Sequence, residues 1–222
     1  MKLFKDTRFN FSLLILIFFL GFLLSKNYDH ILQKQIKQQK TKFNIAANEF
    51  EAKINNSFIF IYGLSGFTHS QSKKELTQKN FQEFAKNAQK NVPYIQNFSI
   101  AIDYIQTFVY PLKGNEATLG HNLIKDSRKK VVDDVKKATE TKKLLISGPY
   151  ELRQGGLGMV IRNPISHKTI NSKILVNVVI DVKSIIRNSE IYTSNTLSYQ
   201  LSNNENVFWG KDFESNYETF IN

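Results

Sequence analysis

The hydrophobic pattern opens on sixteen positions, Phe9 to Leu24 ("FNFSLLILIFFLGFLL"), that only Asn10 and Ser12 interrupt. A run of about this length is at the short end for a helix that spans a bilayer. From Asn27 the chain turns polar and meets no Pro or Gly until Gly63, while Leu32, Ile36, Phe43, Ala46, Phe50, Ile54, Phe58 and Ile61 recur at steps of three, four and seven. That period places one apolar stripe on a long helix. The first half of such a helix, polar elsewhere ("KQIKQQKTK"), cannot bury its stripe against itself, which predicts pairing with the same helix of a second subunit.

After Gly66 the period shortens and alternates. Leu76, Phe81, Phe84 and Ala88 predict a helix that Pro93 ends. "YIQNFSIAIDY" and "QTFVYPL" read as strands, with Phe98, Ala101 and Tyr104 as core candidates. Asp126 and Ser127 can cap a helix that carries Val131, Val135 and Ala138 on one face. Three short strands are expected in "KLLISGPYELRQGGLGMVIRNPI", cut at Gly148-Pro149 and Gly155-Gly156. "KILVNVVIDV" reads as a buried strand, "KSIIRNS" as a short helix, and "LSYQLS" with "ENVFWG" as a terminal strand pair. Helix, strands, helix and an antiparallel run, given twice, predict an α+β protein: two small lobes on one stalk.

Charge adds orientation and little else. Lys2, Lys5 and Arg8 precede the apolar run and predict a cytoplasmic tail. Leu23 stands where a small residue would be needed for cleavage after Ser25, so an uncleaved anchor is expected, with everything after Lys26 outside the cytoplasmic membrane. The net charge of +11 comes almost wholly from Lys spread from Lys2 to Lys211, which reads as a solvated surface and not as a nucleic-acid face. With no Cys, a disulfide scaffold, a thiolate zinc site and a cysteine nucleophile are excluded. No metal or cofactor is expected, because His30, His69, His121 and His167 are scattered. No enzymatic motif is present: "GLSGF" at Gly63 follows a helix and not a strand, the wrong context for a nucleophile elbow.

The string "VYPLKGNEATLGHNL", the helix opening "KDSRKK", then "ISGPYELRQGGLGMVIRNPI" and "ENVFWG", in this order and spacing, resemble a bacterial CHASE domain. That family is the extracellular sensory module of membrane histidine kinases and of cyclic-di-GMP synthases and phosphodiesterases. The resemblance covers roughly residues 43–213 and implies a stalk helix with two PAS-like lobes, dimeric through the stalk and the distal lobe, in a receptor that continues into a second membrane helix and a cytoplasmic output domain. The divisions expected are a tail (1–8), an anchor (9–25), a stalk (26–66), a membrane-distal lobe (67–165) and an incomplete membrane-proximal lobe (166–222), in a cell inner-membrane protein. Plant members bind cytokinins through an aspartate in the segment that matches "HNLIKD" and a threonine on the strand that matches "MVIRNP". Those places hold Ile124 and Arg162, so the cytokinin pattern is absent at both, and an Arg facing a pocket favours an acidic ligand.

The expected site is one pocket in the distal lobe lined by Tyr110, Glu116, His121, Asn122 and Arg162. Its loop, "GNEATLGHN", is long enough to cover a small sheet, and binding groups are commonly carried on such loops. Arg162 would pair an acidic ligand group or, in a purely stabilising role, Glu116. Tyr110 and Tyr150 read more readily as core aromatics with a satisfied hydroxyl than as pocket walls, and Glu116 and Asn115 equally as turn caps or ligand contacts. The function expected is a small-ligand sensor; the competing expectation is a membrane-anchored structural or adhesive module without a pocket.

Overall fold

A computed structural model describes residues 7–187, 199–202 and 207–210. Helix α1 runs from Thr7 to Ser70, and the chain divides into two compact units after Ile45. In the first unit the apolar residues from Phe11 to Leu24 lie open on the helix surface, and α1 is long and apolar enough to cross a membrane. In the second unit the stripe is occupied: Ala46, Phe50, Ile54, Ile61 and Leu64 are buried in the unit's own core. Phe50, which follows Ile36 and Phe43 at heptad distances and is expected with them in a dimer seam, therefore packs within its own chain.

The helix passes the expected stop at Gly66 by one turn. Leu64 and Thr68 are fully buried there, and the Phe67 ring stacks on Phe84 with centroids 4.7 Å apart. Such packing exceeds the cost of a glycine in a helix, about 1 kcal/mol. Helix α2 (Gln78–Gln89) starts where the Thr77 side chain accepts from the Asn80 N–H and buries Phe81 and Ala85. Strands β1 (Ile95–Ile102) and β2 (Ile105–Tyr110) form a hairpin whose two-residue loop, Asp103-Tyr104, has positive φ at both positions. Only such mirror-type turns match the twist of paired strands. Helix α3 (Lys129–Thr141) then buries Val131, Val135 and Ala138 as its spacing predicts. Its cap differs from expectation: Arg128 is the N-cap residue, and Asp126 contributes by accepting from the Arg128 N–H.

Two strands replace the three expected between Leu144 and Ile165. Strand β3 (Leu145–Glu151) runs straight through Gly148-Pro149 with a shift of register between Ser147 and Tyr150, and β4 (Leu157–Ile165) follows. Gly148 sits at φ +102°, and a Cβ there would lie 2.7 Å from the Gly158 carbonyl oxygen. The position therefore takes only glycine. Strand β5 (Ile174–Asp181) and helix α4 (Val182–Arg187) follow.

The five strands form one antiparallel sheet in the order β2-β1-β5-β4-β3. β5 is thus a central strand, which explains its nearly unbroken apolar run. The division expected between residues 165 and 166 falls between β4 and β5, which are hydrogen-bonded neighbours in this sheet. Beyond Arg187, the described residues hold the antiparallel pair β6 (Leu201–Ser202) and β7 (Val207–Trp209), in the stretches expected to be strands. The remainder of the expected proximal lobe lies outside the described residues. The architecture is α+β: a long N-terminal helix with an apolar start, followed by an antiparallel-sheet domain.

One face of the sheet carries Phe98, Ile100, Ile161, Val176, Val178 and Ile180 in the large core with α1 and α2. The other face is covered only in part: Ala101 and Leu175 pack with Val135, Ala138 and Leu123, while Leu152, Val160 and Val179 form a smaller cluster with Tyr150.

Candidate functional site

Between those two small clusters the second face is polar. Register sets Arg162 of β4 opposite Asn177 of β5, and Asn177 opposite Ser99 of β1, so three neighbouring strands contribute one row of polar side chains. All three are at least 97% buried. Above the row lies a cavity of about 50 Å³. Gln106, Val160, Arg162, Asn177 and Val179 line it from the sheet; Thr118, His121, Leu123, Asp126 and Arg128 from the segment between β2 and α3; Val131 from α3; Tyr150, Leu152, Arg153 and Gln154 from β3 and its hairpin.

The covering segment is held in place by its own chemistry. Its backbone returns to the β1–β2 hairpin: Gln106 donates to the His121 carbonyl, Gly120 donates to the Gln106 carbonyl, and Leu123 donates to the Tyr104 carbonyl. The Asp126 carboxylate is 1% exposed and saturated. One oxygen accepts from the Arg128 backbone N–H (2.9 Å) and Nε (2.8 Å), and the other from Arg128 Nη2 (2.5 Å) and His121 Nε2 (2.9 Å). The Arg128 guanidinium, ahead of the opposing cost of burial, holds this carboxyl well below the usual carboxylate range, and the carboxylate in turn raises Arg128. Arg128 also donates Nη1 to the Glu151 carbonyl, and its guanidinium carbon lies 6.0 Å from the centroid of the Tyr150 ring. Arg153 Nε donates to the Ala117 carbonyl, and Thr118 Oγ1 to Gln154 Oε1. The loop and the β3–β4 hairpin thus close on each other over the polar row.

The sheet side of the cavity is less well satisfied: Gln106 Oε1, Asn177 Oδ1 and two nitrogens of Arg162 are buried with no partner among the described residues. Arg162 is 3% exposed, and Nη2 donates to the Tyr150 hydroxyl at 2.8 Å. No described residue accepts from Nε or Nη1. At least three of the five guanidinium N–H groups therefore find no acceptor among the described residues. Among the described residues this buried cation hydrogen-bonds the Tyr150 hydroxyl and forms no ion pair, so little offsets its lost hydration.

Of the five residues expected at the site, His121 and Arg162 line the cavity and the other three do not. Tyr110, at the end of β2, packs against the large core on the opposite face. Glu116 is exposed; its carboxylate accepts from the Gly114 N–H at 3.1 Å, and hydrogen bonds from the Glu116 and Gly114 backbone lower its pKa. Asn122 accepts from the Ile124 N–H and bridges Ile105 through the backbone. The Glu116–Arg162 pair is not formed; Tyr150 takes that place. Tyr150, weighed as a core aromatic or a pocket wall, lines the cavity, and Asp126, Arg128 and Asn177 were not expected there. Asn177, a lone polar residue inside "KILVNVVIDV", was the readable signal for the last of these.

No family model matches the chain, and no curated protein matches it. Among solved structures it is similar to an extracellular ligand binding receptor from Desulfohalobium retbaense DSM5692, with TM-score 0.50 and 14% identity over 66% of this chain and 27% of that one. It is also similar to the extracellular domain of the histidine kinase rpHK1S-Z16, with TM-score 0.48 and 14% identity over 67% of this chain and 59% of that one. The chain thus spans about a quarter of the first protein's length and under two thirds of the second's. At this identity the likeness is one of fold.

Proposed function

We propose that this chain is the extracytoplasmic small-ligand sensor portion of a transmembrane signalling receptor of CHASE type, with PAS-like lobes, anchored in the inner membrane by the N-terminal part of α1 and dimeric through that helix. The observation that carries the reading is Arg162: a buried guanidinium on a cavity wall, with Nε and Nη1 unanswered by any described residue. Physical chemistry supplies its missing partner from outside as an anion. Two further features support the reading: the N-terminal apolar helix and a fold shared with an extracellular ligand binding receptor. Under it, His121 and the Asp126–Arg128 pair shape the pocket, and binding is read out through a kinase or cyclic-di-GMP output.

Arg162→Met tests this. Methionine fills similar space without charge, so the reading expects the variant to melt within a few degrees of wild type and to lose every thermal shift that acidic metabolites give the wild type. The reading fails if Arg162→Met melts far below wild type while no acidic compound in a broad screen shifts the wild type. Arg162 would then be part of the scaffold of a module without a ligand.

A further inference from the structure

The charge balance of the cavity narrows the anion class, and this step rests on the sensor reading above. Three guanidinium groups and one carboxylate line the space. Arg128 and Asp126 hold each other through two side-chain hydrogen bonds and cancel. Arg162 on the floor and Arg153 on the hairpin have no carboxylate partner among the described residues. Arg153 is exposed, and its Nε bond to the Ala117 carbonyl fixes the stem so that the guanidinium stands at the edge of the cavity. Two uncompensated cations, one deep and one at the mouth, match a ligand with two separated anionic groups better than one compact anion.

Asn177 adds a second requirement. It lies opposite Arg162 in register and is 1% exposed. Its Nδ2 donates to the Leu175 carbonyl, which fixes the orientation of the amide and leaves Oδ1 as a buried acceptor that no described residue meets. A ligand whose acid group sits on Arg162 therefore meets two unanswered amide oxygens on the same cavity wall, Asn177 Oδ1 and Gln106 Oε1, and calls for a donor close to that acid. An ammonium donor would set a positive charge beside Arg162 with no countercharge, since all four hydrogen bonds that reach Asp126 come from Arg128 and His121. A hydroxyl meets either acceptor without that cost. The volume, about 50 Å³, has room for only a few water-sized groups and limits the chain between the two acids.

We infer that the ligand class is a short 2-hydroxydicarboxylate, with its hydroxy-acid end on Arg162 and Asn177 and its second carboxylate at Arg153. Isothermal titration of the full chain in detergent micelles, in chloride buffer, tests this with malate, succinate, lactate, aspartate and inorganic phosphate as probes. Malate is expected to bind tightest, with succinate and lactate each about tenfold weaker, the effect of one lost hydrogen bond or one lost exposed charge contact. In Arg153→Gln the ratio of malate to lactate affinity should collapse toward one. If lactate equals malate in the wild type, or Arg153→Gln leaves the ratio unchanged, the dianion assignment is overturned while the anion pocket at Arg162 stands. Aspartate above malate overturns the hydroxyl assignment, and phosphate above all overturns the dicarboxylate in favour of a compact dianion. Absence of heat with every probe overturns this inference. The sensor reading is then judged separately, by the broad screen and Arg162→Met.

Discussion

Asp126→Asn probes what keeps the covering loop closed. The carboxylate is 1% exposed and accepts four hydrogen bonds, three from Arg128 and one from His121. Breaking a buried pair costs about 3–5 kcal/mol, because the surviving charge is left without a partner. Here the survivor is Arg128, whose side chain is 34% exposed and regains water, so the loss falls to about 2–3 kcal/mol. For a domain of this size that lowers Tm by about 5–10 °C. The pH dependence separates this pair from a generic packing loss. The folded-state pKa of Asp126 is depressed below the ordinary value near 3.9, so its contribution is complete above about pH 4 and is lost as pH falls toward the folded value. Thermal unfolding of wild type and variant from pH 7 down to pH 3 should therefore show a gap that is widest at neutral pH and narrows below pH 4. A variant within about 0.5 kcal/mol of wild type at pH 7, or a gap that stays constant with pH, refutes the reasoning.

Gly148→Ala forces a Cβ to 2.7 Å from the Gly158 carbonyl oxygen at φ +102°, and should cost about 2–4 kcal/mol, read as a drop in Tm of roughly 5–15 °C; an unchanged Tm would mean that the strand relaxes there. The proposed dimer is best tested on the outer side of α1, where Ile59 and Tyr62 are 68% and 60% exposed: Ile59→Lys with Tyr62→Lys should keep the fold within about 0.5 kcal/mol and give monomers in sedimentation. A variant that still sediments as a dimer places the contact elsewhere on the chain. Phe50→Lys is unsuited to that test, because Phe50 is buried in the lobe and the variant loses several kcal/mol of fold stability, roughly 3–5.

The parts of the fold legible in the sequence were those with one dominant period. The steps along α1, the face Val131, Val135, Ala138 of α3 and the apolar run of β5 each point to one answer. Strand order was not legible, because β5 reaches its partners β1 and β4 across long stretches of chain and no local pattern encodes that insertion. The bulge at Gly148-Pro149 read as a break for a related reason: those residues end strands in isolation, and only the pairing with β4 carries β3 through them. Within the site, Arg162 stood out as a charge among Val160, Ile161 and Ile165, and the structure sets it on the cavity wall. Glu116 and Tyr110 were grouped with it by closeness in sequence. A one-residue difference in phase sends strand neighbours to opposite faces, and Tyr110 lies on the face of Phe98, away from Arg162.

The central place of β5 also governs how the lobe comes into being. The β1–β2 and β3–β4 hairpins are each local, and each could form as soon as its residues emerge. They share no hydrogen-bonded edge until the strand at Ile174–Asp181 arrives between them. Until then each hairpin exposes an unpaired edge, a template for pairing with another chain. Closing so distant a pairing is slow compared with hairpin formation. The row Ser99-Asn177-Arg162 is drawn from both hairpins and from the late strand, so the pocket has no precursor: it appears only in the step that completes the sheet. A chain interrupted before Ile174 would retain its N-terminal helix and both hairpins and have no Ser99-Asn177-Arg162 row.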